Sequence, residues 1–203
     1  LGVFHAGDLE CGSATFQSSC YDFTHIVEYG DIFDVMGTSS YYAHYGAYHK
    51  FLFGWLSNSQ VKMYNRQTHL PVNIEPIETN TPGIKTLRVP FEPTIDIDYI
   101  TDSYYIEYRR PIGYDLQIYN TLGPQAFDGV LIRTDGRFSI PHGTDPPGLV
   151  DSVLLDLSPN TNSQESDSTR VVLPKDQTYY DSSHSLAITP TFLGDNYATI
   201  VVG

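Results

Sequence analysis

The sequence predicts a mainly β protein with one helix, and three observations carry that expectation. From Ser57 onward, short runs of β-forming residues alternate with Pro, Gly and Asn, and the chain's thirteen prolines fall in this part. These runs recur too densely for βαβ units, so antiparallel pairing into a sandwich with an inner apolar face is the expected arrangement. Helical periodicity is confined to one stretch, where Tyr45, Tyr48, Leu52, Trp55 and Leu56 recur at three- and four-residue intervals.

Taken in order, residues 1–40 are rich in Gly, Ser, Thr and Asp with little periodicity, which reads as ordered loops around a site. Ser39 or Ser40 would cap a helix over 43–56. His44 and His49 fall on that helix and are assigned structural roles. Candidate strands follow at 61–64, 72–77, 85–90, 104–109, 129–133, 152–157, 186–191 and 198–202. At 104–109, Tyr104, Ile106 and Tyr108 alternate with Tyr105, Glu107 and Arg109, the pattern of a half-buried strand. The polar run 159–168 reads as an exposed loop. The change of pattern near residue 60 divides the chain into 1–60 and a β-sandwich-like part, 61–203.

A chain of 203 residues with 40% hydrophobic and 13% aromatic content has ample material for a core. Its net charge of −13 and pI near 4.6 argue against partners with phosphate backbones or anionic lipid surfaces, which need clustered Lys and Arg. No apolar run approaches the length of a membrane helix, so membrane insertion is not expected. The acidic, Tyr-rich and Lys-poor composition suits an extracellular or cell-surface protein, with a signal peptide expected upstream of Leu1. Cys11 and Cys20 stand in a Gly/Ser-rich stretch, and their spacing favours a disulfide over a pair of zinc thiolates. Asp96, Asp98 and Asp102 form an acidic cluster without the Gly turn and closing Glu of a calcium loop, which favours solvated strand ends over a calcium site. The abundant Tyr side chains suit core and cross-strand packing better than a sugar-stacking face.

Two short segments carry the chemistry. Leu1-Gly2-Val3-Phe4-His5 reads as the end of the zinc-protease pattern HExxHxxGxxH, with Gly2 and His5 at its glycine and its third histidine. Further on, Glu28-Tyr29-Gly30-Asp31-Ile32-Phe33-Asp34-Val35-Met36-Gly37 places a Met before a Gly, and is followed by Gly46-Ala47-Tyr48-His49-Lys50 and Gly54-Trp55-Leu56. Together these segments resemble the gametolysin-type family of secreted zinc metallopeptidases in the metzincin clan. The resemblance is strong over the first third of the chain, and weaker over 104–109 and 129–132.

The resemblance implies that residues 1–60 are the C-terminal part of a metzincin catalytic domain, its truncated lower subdomain. His5 would then be the third zinc ligand, Gly2 the motif glycine that breaks the preceding helix, and Met36-Gly37 the Met-turn beneath the metal. The first two His ligands and the general-base Glu would lie upstream of residue 1. In some metzincins a Tyr two residues beyond the turn Met assists the transition state; here that position is Thr38, leaving Tyr41 and Tyr42 as nearby candidates. The implied whole is a zinc metalloendopeptidase that hydrolyses protein or peptide substrates with a zinc-activated water, and these 203 residues alone are expected to be inactive. The β part would position substrate, stabilise the catalytic domain or contact extracellular matrix or cell wall. The competing reading is a non-catalytic secreted β-sandwich module that binds glycan or matrix protein, in which His5 and Met36 are unrelated.

Overall fold

A computed structural model of the chain describes residues 3–9, 26–38, 40–67, 69–95, 99–142, 145–155, 157, 171–182 and 184–203. Among these residues eleven strands form two sheets, so the protein is mainly β. The alternating run at 104–109 lies in β6 (Tyr99–Tyr108), which pairs antiparallel with β5 (Thr86–Ile95) and β7 (Val130–His142). β8 (Asp145–Leu155) continues this meander beyond β7. On the outer side of β8, β1 (His5–Leu9) adds in parallel and pairs antiparallel with β2 (Ile26–Val27). At the opposite edge β3 (Val61–Met63) adds in parallel to β5. A second, antiparallel sheet runs in the order β4 (Val72–Ile74), β11 (Ala198–Val202), β10 (Leu186–Leu193), β9 (Tyr179–Asp181).

Every candidate strand region from 61–64 to 198–202 contains a strand. The all-antiparallel expectation needs correcting at β1 and β3, which pair in parallel with strands far along the chain. Neither is joined to its parallel partner by a hairpin, so no turn dictates the direction of pairing. Residues 1–40 also contain strands where loops were expected. Gly7 lets β1 sit tightly between its neighbours, since a Cβ there would lie 3.0 Å from the Val27 carbonyl oxygen and 3.2 Å from Val150 Cγ1. Because β1 and β2 belong to the same sheet as β5–β8, strands from both sides of residue 60 share one sheet.

One face of the larger sheet packs on the smaller one through Leu87, Tyr104, Ile106 and Ile132 against Ile188, Ile200 and Val202. Fully burying each such aliphatic side chain contributes about 1.5–3 kcal/mol. Tyr hydroxyls tie the two sheets together: Tyr104 donates to Asp181 Oδ2 at 2.6 Å and Tyr108 to the Gly194 carbonyl at 2.8 Å. The other face is covered by the 31–56 segment and by α2 (Asp115–Leu122) with the 3₁₀ turn Pro124–Phe127. Both faces of β6 are therefore buried, and Glu107 and Arg109, expected on a solvated face, sit in the interior.

The expected helix is present but shorter, spanning α1 (Ala47–Leu52). Residues 43–46 lie outside the helix, with Gly46 extended, and carboxylates from elsewhere take the amides at its start: Asp34 Oδ2 accepts Gly46 N–H at 2.8 Å and Glu107 Oε2 accepts Ala47 N–H at 2.6 Å. The capping role expected of Ser40 is thus filled from a distance, and Ser39 lies outside the described residues. At the C-terminal end Gly54, at φ +70°, turns the chain away. α2 is a second helix beyond the one expected. It has no side-chain cap and only eight residues, too short to show a clear period in sequence.

Candidate metal centre

The turn around Met36 is built by two aspartates acting on their own backbone. Asp31 Oδ1 accepts Phe33 N–H at 2.8 Å, and Asp34 Oδ1 accepts Met36 N–H at 2.9 Å, each carboxylate bonding two residues ahead. Gly37 N–H then closes on the Asp34 carbonyl at 2.8 Å, and Thr38 N–H on that of Asp31 at 3.2 Å. Gly37 is required by space: a Cβ there would overlap the Asp31 carbonyl oxygen and approach that of Asp34 to 3.0 Å. Gly37→Ala is accordingly expected to destabilise the protein by about 1–3 kcal/mol through forced backbone movement. In a chain of this size that is a fall in Tm of roughly 2–4 °C per kcal/mol, measurable by calorimetry. An unchanged Tm would show that the turn tolerates a side chain.

His5 opens β1, and the turn is fastened beside it: Ala6 N–H donates to the Met36 carbonyl at 2.9 Å. The backbone of the residue before it is held as well, since Phe4 N–H donates to Asp151 Oδ2 at 2.9 Å. The imidazole itself is engaged at both nitrogens. Nδ1 bonds the Glu28 carboxylate at close range, and Nε2 lies 2.8 Å from the Tyr29 hydroxyl, whose ring stands 4.0 Å from the imidazole, centroid to centroid. The His5 side chain is 33% exposed while that of Glu28 is 8% exposed, so the carboxylate is the inner partner.

Behind this pair lies a buried ionic lattice. His49 bridges two carboxylates, with Nδ1 2.7 Å from Asp34 Oδ2 and Nε2 2.7 Å from Asp151 Oδ1. Burial alone would lower its pKa, but the hydrogen bonds and charges of Asp151 and Asp34 outweigh it and raise the imidazolium to about 9. The chain of contacts Met36–Asp34–His49–Asp151–Phe4 thus connects the turn to the strand that carries His5. Arg133 pairs with Asp31 and, at 3.0 Å, with Glu107. Arg109 forks onto Asp115 at 2.8 and 3.0 Å, contacts Glu78 at 3.1 Å, and donates to the Phe33 carbonyl at 3.0 Å. Burial pushes Glu107 up to about 7 against the pull of Arg109. Asp115 is held low by Arg109 despite its burial, whereas burial raises Glu78 well above the usual carboxylate range. Lys50, partly buried and facing Arg109, falls to about 8.

The residues singled out from sequence separate into groups. The strand that begins at His5 is joined to the Met36-Gly37 turn through the backbone of Ala6. Gly2, Cys11, Cys20, Asp96 and Asp98 lie outside the described residues. Tyr41 is partly buried against the cluster that includes Phe33 and Phe127. Tyr42 is 71% exposed, with its backbone N–H on Gln117 Oε1 at 3.0 Å. Among the described residues the side-chain partners of His5 are Glu28 and Tyr29, which open the Glu28–Gly37 segment and had no role of their own in the sequence. His49 has the structural role expected of it. A cavity of about 730 Å³ is lined by Val35, Tyr42, His44, Trp55, Glu78 and Tyr114 among others; His5 does not line it.

His5 suits a zinc ligand in its chemistry. An ionised Glu28 carboxylate accepts at Nδ1 and so favours the tautomer with its lone pair on Nε2, as outer carboxylates do for metal-binding histidines, and here Nε2 meets the Tyr29 hydroxyl. No group of three or more His, Cys, Asp and Glu that could hold a metal ion occurs among the described residues. Searches of the chain against protein families, curated proteins and solved structures find no match.

Proposed function

We propose that this chain carries part of the active site of a secreted zinc-dependent endopeptidase of the gametolysin type: its third ligand, His5, and its Met-turn, Met36-Gly37. The observation that carries the reading is the carboxylate-oriented imidazole of His5, one residue from the backbone bond that fastens the Met36 turn to β1. The remaining two His ligands and the general-base Glu would come from outside these 203 residues. When bound, zinc supplies a Lewis acid that polarises the scissile carbonyl and acidifies the attacking water. His5 holds one coordination position, Glu28 fixes its tautomer and ring plane, and Asp34 and Asp151 hold the turn and the strand in register through His49. A protein or peptide substrate, an extracellular setting and a supporting or matrix-contacting role for the sheets follow from the same reading.

The test begins with the codons preceding that for Leu1, which should encode His-Glu-x-x-His and then one further residue. In the protein that includes them, His5→Ala is expected to abolish peptide hydrolysis, and Glu28→Gln to weaken zinc affinity about 10–100-fold, read by competition with a chelating dye. The 203-residue chain alone should bind zinc weakly and cleave nothing. Robust proteolysis by that chain, or the absence of the upstream motif, would overturn the proposal.

The second reading, a non-catalytic secreted module for glycan or matrix protein, draws on the aromatic cavity, where Tyr42, Trp55 and Tyr114 are more than half exposed. Glycan-array or matrix-protein binding that is lost in Trp55→Ala and indifferent to His5→Ala would favour it.

A further inference from the structure

Tyr29 stands in a conformation that a tyrosine rarely adopts, and its position on His5 gives that conformation a purpose. Its φ is +62°, in the left-handed region that L side chains other than Asn and Asp seldom enter. Its side chain is not held there by the core, since the residue is 46% exposed. Instead the turn Val27–Gly30, closed by Gly30 N–H on the Val27 carbonyl at 3.0 Å, aims the phenol at the imidazole. The ring stacks on His5 at 4.0 Å and the hydroxyl reaches Nε2 at 2.8 Å. Strain of this kind persists where surrounding contacts impose it, and such places cluster at working sites. Gly30 packs tightly behind the turn, where a Cβ would come within 3.1 Å of Asp8 Cβ, so the chain there has little freedom to relax.

The electronic arrangement is specific. In the neutral ring, with Glu28 accepting from Nδ1, Nε2 carries the lone pair, so the Tyr29 O–H is the donor and Nε2 the acceptor. A lone pair serves one partner at a time, either a phenol proton or a metal cation. We propose that Tyr29 is a removable cap on the metal-facing nitrogen of His5: the phenol holds Nε2 in its ligating orientation and gives it up to a divalent cation of the zinc type. This rests on the reading of His5 as a metal ligand. No covalent bond is made or broken within Tyr29; its O–H exchanges His5 for water. Glu28 and Tyr29 then act in opposite senses on one ring, the carboxylate making Nε2 a better donor and the phenol competing for it.

The prediction is site-resolved. In the ¹⁵N-labelled 203-residue chain, long-range ¹H–¹⁵N correlation of the His5 ring at constant pH should show Nδ1 protonated and Nε2 as acceptor. On titration with zinc chloride the Nε2 resonance of His5 should shift, and Tyr29→Phe, which keeps the stacking and removes the hydroxyl, should lower the apparent Kd about 3–10-fold, as expected for loss of one competing hydrogen bond. Glu28→Gln should raise it about 10-fold or more. Equal affinity in wild type and Tyr29→Phe, or weaker binding in Tyr29→Phe, would overturn the cap while leaving His5 as a ligand. A His5 ring that ignores zinc in both proteins, with the backbone spectrum intact, would remove the ligand reading and the cap with it.

Discussion

Arg109→Met is expected to destabilise the protein by about 4 kcal/mol, a large share of the stability of a marginal domain. The guanidinium is 2% exposed and forks onto Asp115, touches Glu78 at 3.1 Å and Glu107 at 3.4 Å, and stands 5.7 Å over the Phe33 ring. Met approximates its volume and removes the charge, so the packing loss is small and the electrostatic loss dominates. Asp115 and Glu78 would then lose their guanidinium, while Glu107 would keep that of Arg133 at 3.0 Å. Glu107, already raised to about 7, and Glu78 can respond by taking a proton. Asp115, held low by Arg109 despite its burial and accepting His44 N–H at 2.9 Å, must either stay ionised without its partner or take a proton. Pairing the change with Asp115→Leu should recover a substantial part of the loss, because exchanging both members of a buried pair for apolar groups is far less costly than orphaning one. Urea denaturation of the four proteins in this cycle checks it. A single-variant loss below about 1 kcal/mol, the range of exposed ion pairs, would show that water reaches the cluster.

The second large effect is the pH dependence contributed by His49. Its folded pKa, about 9, lies above the ordinary 6.5, so protonation stabilises the folded state. That contribution is complete below pH about 6.5 and is lost as pH rises through about 9. The difference of about 2.5 units corresponds to about 3 kcal/mol. Wild type should therefore lose about that much stability between pH 6 and pH 10, beyond what other groups cause, and His49→Gln should lack this component. At pH 6 the same substitution should destabilise by about 3–5 kcal/mol, since Asp34 and Asp151 would face each other without a cation. Because the lattice joins Phe4 to the Met36 turn, the loss should also appear as faster amide exchange in β1 and in the turn. Parallel pH profiles for wild type and His49→Gln would exclude the charged imidazole as the linker.

Legibility in the sequence followed the range of the interactions. The β runs at 85–90, 104–109 and 186–191 were readable because alternation and β-branched residues act within a few positions. The Asp31–Gly37 turn was readable for the same reason: each aspartate bonds an amide two residues ahead, and Gly37 meets a carbonyl six residues back. β1 was not, because its Gly and Asp are poor strand formers and its order comes from Val150–Leu155 across the sheet. α2 was hidden by its shortness. Tyr29 could have drawn notice from its place before Gly30, but nothing local states that its phenol meets a residue twenty-four positions earlier.

By itself, then, the sequence determined the mainly β class, the place of the helix and the local shape of the Met36 turn, since these depend on neighbours in the chain. Only the tertiary structure decided that Glu107 and Arg109 are interior, that His49 joins Asp34 to an aspartate 102 residues away, and that His5 lies between Glu28 and Tyr29. The physical reason is burial. A charged residue in sequence reads as a solvated one, and only when distant elements close over it does it need a partner, which those same elements supply.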